Sequence, residues 1–143
     1  MKIHPGIVLL KEIEGHGSPI EKGDRFEAVF KFFHNRCDPI LFNTCWHKPI
    51  PEIVTVDGKE VVGWKPGETQ RTNVIYEHDG WLARQSDILP GLYYSLLGMK
   101  AMGFRKVKIA PHFMSNSMGD GTEIKKGSIV KAEIFLLSIR KSA

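Results

Sequence analysis

Apolar residues recur at every second position over much of this chain. Phe26, Ala28, Phe30 and Phe32 alternate with Glu27 and Lys31, and Arg25 precedes them. A period of two puts the four on one face of a half-buried strand over 25–33. Val130, Ala132, Ile134 and Leu136 repeat the pattern in a closing strand. Val107 and Ile109 share a face of a strand over 104–109, which sends Lys106 and Lys108 to the solvent side. Further strands are predicted over 7–13, 40–44 and 72–76. Residues 54–62 read as a hairpin turning at Asp57-Gly58, a pair suited to the positive φ of a type I′ turn. Trp64-Lys-Pro-Gly67 is expected to end that hairpin, and His78-Asp-Gly80 to form another turn.

The period changes once. After Pro90, Leu92, Leu96 and Met99 are spaced near the helical repeat, and Gly103 is the expected stop. So short a helix, over 92–102, depends on packing against a sheet. Many strands and one helix give an α+β class: a bent antiparallel sheet, half of a barrel, wrapped on one short helix.

Composition narrows the function classes. With 143 residues, 42% hydrophobic and 25% charged, the chain suits one globular domain over 1–143. No apolar run approaches the ~20 residues of a membrane span. The run Ile7 to Leu10 is too short for a signal peptide, and two cysteines are few for a secreted domain. A cytoplasmic location is the expectation. A net charge of +4 and a pI near 9.1 favour weak attraction to anionic surfaces. No stacking pattern accompanies them, so nucleic-acid binding is not expected. Lys100, Arg105, Lys106 and Lys108 read as a solvated face.

His34, Cys37, Cys45 and His47 are zinc-ligand types, but H-x2-C and C-x-H are not a standard ligand spacing, so no bound metal is expected. The stretch 114–121 lacks the GK[ST] of a phosphate loop, and Asp120 with Glu123 does not make a calcium loop.

Several segments together resemble a known family. Ile88-Leu-Pro-Gly-Leu92 is similar to the VIxGW of FKBP-type peptidyl-prolyl isomerases. Leu96-Leu-Gly-Met99 matches their GLLGM, and the two strands that follow keep the family's spacing. In the first half, Glu14-Gly-His-Gly17 resembles EGxG and Lys22-Gly-Asp24 resembles KGD. Asp38-Pro-Ile-Leu-Phe-Asn-Thr44 resembles DGxxFDS. About 45–80 has no counterpart and reads as an insertion within the domain.

The resemblance implies an FKBP-like fold and isomerisation of X-Pro bonds. That chemistry needs no cofactor, acid, base or nucleophile. An apolar pocket strips water from the amide, weakens its resonance and binds its twisted form best. Carried over by position, Phe42 is a wall residue, Ile88 and Leu89 form the apolar pair, and Leu92 stands where a tryptophan floors the proline site. Phe30, Asn43, Ser115, Ile124 and Ala132 fall at substrate-lining positions, with Ile124 retaining the apolar anchor. Phe30 stands for a tyrosine, Asn43 for an aspartate, Ser115 for a tyrosine and Ala132 for a phenylalanine.

These exchanges remove aromatic area and polar contacts, so weak activity is expected. The partners implied are proline-containing peptides or client proteins, with weak macrolide binding. The alternative is a non-catalytic peptide- or protein-binding, chaperone-like module. Trp64, Tyr76 and Trp81 are candidates to fill the widened cleft from its rim.

Overall fold

The aromatic strand is the axis of the molecule. The computed structural model describes residues 2–34, 49–65, 74–81, 90–110 and 129–141. The elements run β1 (Lys2–His4), β2 (Ile7–Ile13), β3 (Arg25–His34), β4 (Ile50–Val56) and β5 (Lys59–Lys65). β6 (Val74–Trp81), α1 (Pro90–Leu96), β7 (Gly103–Ile109) and β8 (Val130–Arg140) follow. Six strands make one sheet in the order β1-β2-β7-β8-β3-β6, and β4 with β5 forms a separate hairpin. Every pairing between these strands is antiparallel.

The predicted alternation holds. Phe26, Ala28, Phe30 and Phe32 pack with Val130, Ala132, Ile134 and Leu136 against Leu92, Tyr93, Leu96 and Met99 of the helical segment. Val107 and Ile109 complete this core from β7, and Ile7 from β2. The helix therefore lies on the face that the period of two marked as apolar.

The outer face of the sheet is also covered. Val29 of β3 is 2% exposed and packs with Ile50, while Leu137 leans on both. Lys31, expected at the solvent, is buried: its Nζ donates to the carbonyl of Pro51 and lies 4.7 Å from the centre of the Phe135 ring. At its far end the hairpin is tied to β2 by Lys11 Nζ and Glu60 Oε2, 2.9 Å apart. The hairpin thus reaches from β3 to β2 on the side of the sheet away from α1. Its turn is as expected, with φ of 53° at Asp57 and 78° at Gly58.

Three expectations are corrected. The helix spans Pro90–Leu96 rather than 92–102, because Gly98 takes a φ of 86° well before Gly103. Proline serves as the first helical residue, where no N–H is needed. His78-Asp-Gly80 is strand, not turn: these residues pair with Ala28, Glu27 and Phe26 of β3. A neighbouring ladder overrides local turn preference. The hairpin strands run longer than 54–62, from Ile50 in β4 to Lys65 in β5. The stretch 45–80 takes in the β4–β5 hairpin and most of β6, an edge strand of the main sheet. The strand over 40–44 lies outside the described residues. Among the described residues no helix is long and apolar enough to cross a membrane.

Candidate functional site

The segment carrying the family-like spacing is built around the exit of α1. Within the helix, the Ser95 hydroxyl donates to the Gly91 carbonyl at 2.6 Å, so a buried polar group is satisfied locally. A helix end leaves carbonyls without partners. Here Arg105 supplies them: its Nη1 donates to the carbonyls of Ser95 at 2.8 Å and Leu97 at 2.9 Å. Its Nε donates to Glu12 Oε2 at 2.5 Å, which ties the helix end to β2 through β7.

Leu96-Leu-Gly-Met99 then turns the chain. The Met99 N–H donates to the Leu96 carbonyl, and the N–H of Gly98 donates to Ile20 at 3.1 Å. Ile20 N–H returns a bond to Met99 at 2.7 Å. His4 of β1 stacks on Tyr94 of α1 with ring centroids 3.9 Å apart.

The short motifs of the first half hold this frame. Gly15 sits so close to the 101–103 backbone that a Cβ there would lie 2.1 Å from the Ala101 carbonyl oxygen. The adjoining His16 N–H bonds that same carbonyl at 3.0 Å. Asp24, 3% exposed, accepts from the Glu21 N–H at 2.9 Å and from Lys141 Nζ at 2.7 Å. It closes the 21–24 turn and fixes the start of β3 to the end of β8. Glu14 pairs with Lys100 at 2.6 Å, and the hydrogen bond and charge of that ammonium hold its carboxyl below the ordinary range. A depressed folded value means that this contribution is full above the ordinary carboxylate range and is lost as pH falls through the folded value.

Three of the residues expected at a site are described: Phe30, Leu92 and Ala132. All three have none of their surface exposed and belong to one buried cluster. The structure brings them together, and it does so as core. Phe42, Asn43, Ile88, Leu89, Ser115 and Ile124 lie outside the described residues, as do Cys37, Cys45 and His47. Trp64 is half exposed on β5 of the hairpin. That hairpin docks on the side of the sheet away from α1, so the expectation that Trp64 fills the cleft rim is not met. Arg105 and Asp24 were not singled out as anchors by the sequence. The signal for Arg105 was there, since a cation beyond a helix-ending glycine is suited to bond the last carbonyls.

No family model matches the sequence, and no curated protein is significantly similar to it. Among solved structures, the chain is similar to the crystal structure of the three FKBP domains of wheat FKBP73. The TM-score is 0.54 at 19% identity, over 95% of this chain. The fold is FKBP-like. The matched region is 46% of that longer chain, so the wheat protein extends well beyond what is shared. The arrangement here fits that fold: one short helix held against a mostly antiparallel sheet.

Proposed function

We propose that this chain is an FKBP-type peptidyl-prolyl isomerase-like protein of weak activity, acting on X-Pro bonds of peptides or client proteins. The FKBP-like fold is the observation that carries the proposal. Phe42, Ile88, Leu89 and Leu92 are assigned to the proline site. Phe30, Asn43, Ser115, Ile124 and Ala132 are assigned to its surroundings. The chemistry is desolvation: the amide leaves water for an apolar pocket, its charge-separated resonance form loses solvation, and the twisted amide is bound best.

Complete burial of Phe30, Leu92 and Ala132 favours a second reading, a non-catalytic module that grips peptide or protein through other residues. A protease-coupled assay on a proline peptide separates the two. The first reading expects isomerisation above background, with kcat/KM reduced about tenfold in Phe42→Ala by loss of apolar wall area. Activity equal to background at high protein concentration, with peptide still bound, selects the second.

A further inference from the structure

At one end of the β3–β8 ladder the sheet carries a polar hollow. Its volume is about 310 Å³, and among the described residues β3 and β8 alone line it. Phe26 is buried in the core and Ile139 packs on that core, so these two face the α1 side. Alternation sends Arg25, Glu27, Ser138 and Arg140 to the other face. A β-bulge sets them in two rows. Ala28 pairs with Leu136 but Glu27 pairs with Ser138, which leaves Leu137 as an extra residue in β8. Leu137 leans on Val29 and Ile50, where the hairpin base docks. Beyond that base, Ser138 stands opposite Glu27 and Arg140 opposite Arg25. Bulges re-aim side chains in this way beside functional sites.

The charges in the hollow call for a ligand. Arg25 and Arg140 are like charges on directly opposed positions, which destabilises a sheet until an anion joins them. Among the described residues, Arg140 and Glu27 make no ion pair. Arg25 has a contact of its own, and a guanidinium with five donors keeps others for a second partner. A phosphate monoester carries about −1.5 to −2 charge at pH 7, which matches two guanidinium forks better than a single carboxylate does. Residues two apart on a strand are about 7 Å apart, so Glu27 and Ser138 reach the organic part of the same molecule. A carboxylate accepts hydrogen bonds and a hydroxyl both donates and accepts, a pair suited to ligand hydroxyls. Ligand pockets start at about 300 Å³, so the hollow suits a small molecule rather than a polymer.

From this geometry we infer that the hollow binds a small phosphate monoester with free hydroxyls. The phosphate lies on Arg25 and Arg140, and the hydroxyls lie on Glu27 and Ser138. The site is on the face of the sheet away from α1 and does not depend on the peptide-binding reading.

An NMR titration of the full chain's amides with ribose 5-phosphate, in buffer free of phosphate, tests it. Saturable shifts at Glu27 and Arg140 are expected, with a Kd of about 1 mM or tighter. Arg140→Gln should weaken binding more than about tenfold, as for hydrogen bonds to a charged group. It removes an exposed side chain and a like-charge pair, so the variant should be at least as heat-stable as the parent. Glu27→Ala should weaken ribose 5-phosphate and leave inorganic phosphate no weaker. The control is Lys59→Gln, which makes the same change in net charge at the exposed hairpin tip and should bind as the parent does. Tighter binding of adenosine monophosphate than of ribose 5-phosphate makes the source a nucleotide, and the reverse makes it a sugar phosphate; each supports the site. Absence of saturable shifts overturns the proposal, as does an equal loss in the control. So does binding of ribose 5-phosphate no tighter than that of inorganic phosphate, or tighter binding of succinate or phosphoethanolamine.

Discussion

Asp24 shows how one side chain organises distant parts of this chain. Its carboxylate accepts from the Glu21 N–H and from Lys141, whose ammonium also donates to the Pro19 carbonyl at 2.8 Å. The residue is nearly inaccessible, so truncation strands the Glu21 N–H and takes from Lys141 its buried acceptor. Asp24→Ala is expected to lower unfolding free energy by about 2 kcal/mol, as for hydrogen bonds to a charged group. Urea unfolding followed by fluorescence measures it, and a loss under about 0.5 kcal/mol would show that the bracket is ornamental. At this scale the sequence was legible as motif and silent as contact. Lys22-Gly-Asp24 was visible as a turn. That its aspartate would meet Lys141 at the other end of the chain depends on the β3–β8 pairing, which no local pattern encodes. The three described site candidates are the reverse case: their positions were carried over by spacing, while their full burial needed the packed core to be seen.

Elements with a strong period were read correctly, and those set by their neighbours were not. The period of two located β3, β7 and β8, because each buries a row of side chains in the core with α1. It could not show that the opposite face of β3 is also covered, since Val29 and Lys31 look like the polar side of a half-exposed strand. The hairpin supplies that cover through Ile50 and Pro51. Ile50→Ala is therefore expected to cost about 2–5 kcal/mol, as for an aliphatic side chain lost from a closed core. Thermal unfolding reads the effect directly. A change within about 0.5 kcal/mol would mean that β4 and β5 hang free of the sheet, as a true surface insertion would. The outcome also decides how a deletion behaves. Removing 45–80 takes away both this cover and most of β6, so the remainder is not expected to fold intact.

For the molecule as a whole, the architecture and the proposed chemistry rest on different supports. The fold is FKBP-like, and it was legible because helix, glycine exit and two strands kept their spacing across the whole second half. The proposed site was less legible, because residues from widely separated segments must converge and the aromatic groups that usually mark it are exchanged. Leu92 and Ala132 now serve the core that holds α1 on the sheet. The central claim is that this core still presents an apolar site able to twist an X-Pro amide. Exchange NMR on a short X-Pro peptide, with protein far below peptide concentration, tests it most directly. Uncatalysed exchange takes tens to hundreds of seconds at 25 °C, too slow for cross-peaks at short mixing times. The account predicts cis–trans cross-peaks that appear with protein and grow in proportion to its concentration. Peptide signals that shift or broaden with no exchange cross-peaks would contradict it and establish a binding module instead.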